Sequence, residues 1–147
     1  MTPVFLRGSA RRYVLDSNAL ISFFESRLGA AQKVRRLLGE AARKDSPLLM
    51  SAVNWGEVFY TEWRAGGEAK ARQAEANLLE MPIMVIAADR ERASRAGALK
   101  QRHALGYADA FAAELAIERG AWLVTADPEF QKVGKGLAVY PLPRHER

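Results

Sequence analysis

Four carboxylates and a hydroxyl stand where this sequence stops being apolar. In "YVLDSNAL" (13–20) a short apolar run ends on Asp16, and in "LVTADPEF" (123–130) another delivers Thr125 and Asp127 before Pro128 closes it. "SAVNWGEVFY" (51–60) carries Glu57, and "GYADAFAAELAI" (106–117) carries Asp109. Taken singly, each has an ordinary structural explanation. Asp16 and Asp127 suit turns or helix caps. Asp109 suits a first helical turn, where it complements the dipole. Glu57 is one face-turn from Arg64, and threonine is a common strand residue. Taken together, four carboxylates converging from separate segments would repel one another strongly in a cleft of low dielectric. Divalent cations are what such a cluster accommodates.

The donor types select the ion. The chain has no cysteine and only two histidines, His103 and His145. An all-oxygen set suits Mg²⁺ or Mn²⁺ rather than zinc. Two such ions about 4 Å apart can activate a water and stabilise the leaving oxygen of an in-line displacement, so a phosphodiester is the matching substrate.

Positioning these groups needs strands that end at one edge. The predicted strands are Tyr13 to Leu15, Leu48 to Met50, Ile83 to Ala87, Ala121 to Val124, and an edge strand at Leu137 to Tyr140 before Pro141 and Pro143. Between them the pattern predicts helices at Ser17 to Phe24 and Ala30 to Arg43. Further helices are read from a Ser51 cap to Ala65, stopped by Gly66–Gly67, at Glu68 to Glu80, from an Asp89 cap to His103, and at Tyr107 to Arg119 before Gly120. Strands alternating with helices imply parallel crossovers and an α/β/α sandwich. In such sheets ligands bind outside the carboxyl ends of the strands, where strand order reverses. At 100° per residue Glu57 shares a stripe with Val53, Gly56 and Tyr60, read here as facing inward. Asp109 sits at the margin of the stripe Ala108, Phe111, Ala112, Leu115, Ala116.

Composition sets the background. A chain of 147 residues with 49% apolar content is expected to form one globular domain with a real core. No apolar run approaches the roughly 20 residues of a membrane span, and the N-terminus lacks a long apolar block, so a cytoplasmic protein is expected. The net charge of +5 points weakly to a polyanionic partner. Its densest groups are Arg11–Arg12 and the run Arg90, Arg92, Arg95, Lys100, Arg102.

The four stretches "VLDSNALI", "SAVNWGEVFY", "GYADAFAAELA" and "LVTADPEF", in that order and at that spacing, resemble the PIN domain family, most closely the VapC-type ribonuclease toxins of bacterial toxin–antitoxin pairs. The resemblance spans most of the chain, leaving residues 1–10 as a candidate tail. It implies a three-layer sandwich with a central parallel sheet of strand order 3-2-1-4-5. By matching position it assigns metal binding to Asp16, Glu57, Asp109 and Asp127, with Thr125 and Ser17 or Asn18 in support. It also implies Mg²⁺- or Mn²⁺-dependent endoribonuclease activity leaving 5′-phosphate and 3′-hydroxyl ends, a homodimer, and a VapB-like antitoxin that occupies the cleft. Arg12, Arg64 and Lys132 are candidates for holding the RNA backbone without reading bases.

One feature lies apart from the acids. Trp55, Phe59 and Trp63 form an aromatic stripe about 160° from the Glu57 stripe. It is read either as packing on Ala71, Ala74, Leu78 and Leu79 of the next helix, or as a surface for the antitoxin, since large amphipathic rings are enriched at binding hot spots. Rival readings of the whole chain fit less well. A phosphoacceptor receiver domain needs an acidic pair after its first strand, a dinucleotide-binding module needs G-x-G-x-x-G, and a PIN-like domain that only binds RNA would usually lack one of the acids.

Overall fold

The apolar runs become five parallel strands, each buried or half-buried except the outermost. The structure, a computed structural model, describes residues 12–144; residues 1–10 and His145 lie outside them. The strands are β1 (Tyr13–Leu15), β2 (Leu48–Ser51), β3 (Ile83–Ile86), β4 (Trp122–Thr125) and β5 (Val139–Pro141), and the sheet order is β3-β2-β1-β4-β5. Every pairing is parallel. The helices are α1 (Ser17–Phe24), α2 (Ala30–Arg43), α3 (Ala52–Gly66), α4 (Glu68–Leu79), α5 (Arg90–His103) and α6 (Tyr107–Arg119). This is the expected α/β/α sandwich with the expected strand order.

Strand alternation sorts the core into two halves. Val14, Leu49 and Leu123 point to the side of Ala96 on α5 and Phe111, Ala112 and Leu115 on α6. Leu15, Met50 and Val124 point to the side of Leu20 on α1, Val34 and Leu37 on α2, and Leu78 on α4. Residues on both faces are apolar because helices cover both faces. The same alternation carries one position further: Asp16 and Thr125 emerge toward α6.

Several boundaries differ from the sequence expectation, each for a hydrogen-bonding reason. The fourth strand begins at Trp122, whose N–H donates to the Arg12 carbonyl, because the Ala121 N–H turns back to close α6 on Ala116. Thr125 is the last strand residue rather than the first loop residue, because its carbonyl accepts the Leu142 N–H at 2.8 Å. The fifth strand starts at Val139 because the Leu137 N–H donates to Gly134 and finishes a 3-10 segment, Pro128–Gly136, that hydrophobic periodicity does not reveal. Pro141 sits in β5, where an edge strand does not need its N–H. The caps Ser51 and Asp89 act as expected, accepting from Val53 N–H and Arg92 N–H.

The inward face of α3 is a correction. Its buried line is Asn54, Val58 and Glu62, whereas Gly56 and Tyr60 of the expected inward stripe are exposed and Glu57 is half-buried. Hydropathy misplaces the face because two of the three buried side chains are polar. Asn54 bonds within the site described below, and fully buried Glu62 lies 3.1 Å from the Lys70 ammonium. The aromatic stripe divides between its two readings. Trp55 is partly buried against the α1–α2 side of the core, and Phe59 is roofed by the Arg72 guanidinium at 4.9 Å. Trp63 meets Phe59 edge-on and stays 42% exposed. On α4, Ala71, Ala74 and Leu78 are buried as expected, but Leu79 is 71% exposed.

Candidate active site

The site lies at the carboxyl end of β1 and β4, the switch point at which the chain leaves the middle of the sheet in both directions. Leu15 is in register with Val124, so Asp16 and Thr125 fall side by side just beyond. The Asp16 N–H donates to the Val124 carbonyl at 3.1 Å, and the Thr125 hydroxyl donates to Asp16 Oδ2 at 2.8 Å. Thr125 Oγ1 in turn accepts the Asp127 N–H at 3.0 Å. One hydroxyl thus fixes the first carboxylate and the turn that presents the last. Asn18 braces the same turn, its Oδ1 accepting the Ala126 N–H at 3.0 Å. Ser17 is buried at the start of α1.

Glu57 and Asp109 reach the same rim from α3 and α6. Asn54, fully buried, donates its amide to Glu57 Oε1 at 3.0 Å and to the Ala108 carbonyl at 3.1 Å. It therefore ties the α3 acid to the helix that bears the α6 acid. Gly106 precedes α6 closely enough that a Cβ there would meet Asp109 Oδ2 at 3.1 Å. Asp127 does what an isolated turn aspartate would do, accepting the Glu129 N–H with Oδ1 at 2.9 Å. It also adds its charge to the cluster.

The electrostatics reveal the convergence. Burial pushes the Asp16 carboxyl from an ordinary 3.8 up to about 8, reinforced by the neighbouring charges of Asp109, Glu57 and Asp127 and opposed by the Thr125 hydrogen bond. Asp109 is pushed up to about 6, again chiefly by burial, then by Asp127, Glu57 and Glu129. Asp16 and Asp109 thus both feel the charges of Glu57 and Asp127. Asp16 Oδ1 is buried without a hydrogen-bond partner, an unusual state for a carboxylate oxygen. Among the described residues no group of three acids forms a site that could hold a metal ion. Mg²⁺ does not require three, because it keeps waters and takes few protein carboxylates. An orphaned buried oxygen within an all-oxygen set of like charges fits a hard divalent cation.

The cationic candidates are placed less uniformly. Arg12 precedes β1, at the opposite end of that strand from Asp16. Arg64, in the last turn of α3, stacks over the exposed Tyr60 ring at 5.8 Å and takes no part in holding Glu57. Lys132 is near the rim, donating to Glu129 Oε2 at 3.0 Å and to the Ala104 carbonyl at 3.3 Å. Sequence reasoning missed Asn54 and Glu129. Both stood inside quoted stretches, and for Asn54 the signal was its i, i+3 spacing to Glu57 on a helix.

The fold is a parallel α/β/α sandwich whose switch point gathers acids from four separate segments of the chain. The chain belongs to the PIN domain family, whose model matches residues 13–136. No curated protein matches the sequence. Among solved structures it is similar to VapBC2 from Rickettsia felis bound to a DNA fragment from its promoter, at 17% identity over 88% of this chain and 98% of that one, with a TM-score of 0.68. It is also similar to Mycobacterium tuberculosis VapC20, a sarcin–ricin loop cleaving toxin (18% identity, 83% and 95% covered, TM-score 0.68). A toxin–antitoxin complex from Klebsiella pneumoniae gives 23% identity, 88% and 98% coverage and a TM-score of 0.60.

Proposed function

We propose that this chain is a divalent-metal-dependent endoribonuclease, the toxin of a type II toxin–antitoxin pair, built on a single domain. The observation that carries the reading is Asp16, buried at the switch point with one oxygen unpartnered and three other acids raising its proton affinity. Asp16, Glu57, Asp109 and Asp127 would hold one or two Mg²⁺ or Mn²⁺ ions. A bound ion supplies positive charge to neutralise the phosphate oxygens and acidity to activate water. The remaining work belongs to the chain. Thr125 holds Asp16 in one rotamer, Asn54 holds Glu57, and the buried floor of the cluster keeps bulk water from screening it.

The net charge of +5 supports a polyanionic substrate, and Lys132 is the rim cation best placed to approach its backbone. A VapB-like antitoxin is the partner this reading implies, since the similar structures include toxin–antitoxin complexes. Trp63, exposed at the end of an otherwise half-buried stripe with Trp55 and Phe59, is the anchor offered to it. A homodimer and a cytoplasmic setting belong to the same reading. Among the described residues no helix is long and apolar enough to cross a membrane. The deciding experiment incubates antitoxin-free protein with structured RNA, with and without Mg²⁺ or Mn²⁺, beside Asp16→Asn. Cleavage should require both the metal and Asp16.

A further inference from the structure

Next to the acids lies a second cavity, of about 150 Å³, between the end of β4, the 3-10 segment and the chain leaving β5. It shares Thr125 and Asp127 with the site; Pro128, Gln131, Pro141, Leu142 and Arg144 also line it. Its volume is below the ~300 Å³ at which pockets for drug-sized ligands begin, so it admits one small ring system rather than a whole nucleotide. The Thr125 hydroxyl is already engaged with Asp16 and the Asp127 N–H, which leaves recognition to the other residues. Pro128, Pro141 and Leu142 offer apolar walls. Exposed Gln131 offers both a donor and an acceptor, and exposed Arg144 a fixed positive charge.

A small cavity with apolar walls and one bifunctional amide suits a heterocycle that is apolar on its faces and polar on its edge. Arg144, exposed among the same lining residues as Asp127, brings a positive charge beside the acids, which suits a phosphate neighbouring the one those acids would serve. We propose that this cavity receives an unpaired nucleobase of the RNA adjacent to the scissile phosphate, with Gln131 meeting the base edge and Arg144 the neighbouring phosphate. The base must be unpaired, because within a helix its faces and edge are already occupied. This subsite rests on the nuclease reading and adds to it a source of sequence preference.

The test uses single-stranded RNA with a randomised stretch, cut in Mn²⁺, the products being sequenced to find the preferred base beside the cut. An RNA abasic at that position is then compared with the intact one. For the wild type, kcat/KM should fall roughly 10- to 100-fold on the abasic RNA, the scale of a lost base-stacking contact. Pro141→Trp, which places an indole across the mouth, should cut both RNAs at the rate at which the wild type cuts the abasic one. Gln131→Ala should keep the intact-to-abasic ratio but flatten the preference among bases. Equal rates on both RNAs with the wild type would overturn the proposal. So would a base preference that survives Pro141→Trp in a protein of unchanged melting temperature. If the wild type cuts no RNA with any divalent metal, the nuclease reading fails instead. Fluorescence anisotropy with a short single-stranded RNA and its fully abasic counterpart then decides the base contact, and equal affinities overturn it.

Discussion

Two carboxylates in this molecule are almost equally buried, and the protein treats them in opposite ways. Glu114, on α6 and 3% exposed, is clamped by Arg92 Nη1 at 3.1 Å and by Arg95 Nε at 3.1 Å. Arg92 is itself shared with Glu118 at 3.0 Å. Asp16, 2% exposed, has one hydroxyl on one oxygen, nothing on the other, and three acids for neighbours. The first arrangement is complete within the chain. The second is not, and leaves Asp16 Oδ1 without a partner. The contrast is between a buried acid that the chain satisfies by itself and one it leaves with an unpartnered oxygen, a state that persists only where the surrounding fold enforces it.

The largest effects should come from breaking each site and finding opposite consequences. Asp16→Asn should reduce single-turnover RNA cleavage about a thousandfold, equivalent to ~4 kcal/mol of transition-state stabilisation lost. Without metal it should raise the melting temperature above about pH 8, where Asp16 is ionised and repelled by its neighbours, and leave it nearly unchanged at lower pH. Arg92→Met should do the reverse. By leaving Glu114 short of a partner it should destabilise the fold by about 3 kcal/mol in denaturant titrations, while folded protein keeps its cleavage rate.

The pH dependence of stability sharpens the contrast. With folded values of about 8 for Asp16 and about 6 for Asp109 against 3.8 when unfolded, the native state binds more protons than the unfolded chain across that interval. The metal-free protein should therefore lose stability as pH rises from about 4 to about 8, by an amount on the order of a few kcal/mol. Saturating Mn²⁺ should reverse the slope, because the ion binds the deprotonated acids. Urea unfolding at pH 5 and pH 8, with and without Mn²⁺, checks both signs. A smaller effect belongs to the other side of α3. Trp63→Ala should weaken antitoxin binding by about 2 kcal/mol, measured by calorimetry, with metal-dependent cleavage retained. Loss of folding with unchanged affinity in the residual complex would assign Trp63 to the core instead.

The acids stand out in the sequence because each ends an apolar run or interrupts a helical pattern; strand alternation then places Asp16 beside Thr125, while Glu57 and Asp109 arrive on helices. The sheet was legible for the same reason: its strands are short apolar runs between unmistakable helices. The buried face of α3 was not, because Asn54 and Glu62 are polar and their partners, Ala108 and Lys70, are fixed only by the tertiary fold. The 3-10 segment was hidden because its helical part is short and Gly134 breaks it, at φ 75°. Glu129 joins the cluster only because that segment turns back toward Asp109. The compensation of Glu114 likewise depends on α5 lying against α6, which spacing within either helix does not specify.

The central claim is that Asp16 is a buried acid awaiting a divalent cation, and proton release on metal binding tests it directly. With a folded value near 8, Asp16 should be largely protonated in the metal-free protein at pH 7 and should surrender that proton to the ion. Mn²⁺ titrations by calorimetry in buffers of different ionisation enthalpy should give about one proton released per protein at pH 7, vanishing in Asp16→Asn. A binding heat independent of buffer, or proton release that persists in Asp16→Asn, would contradict the account.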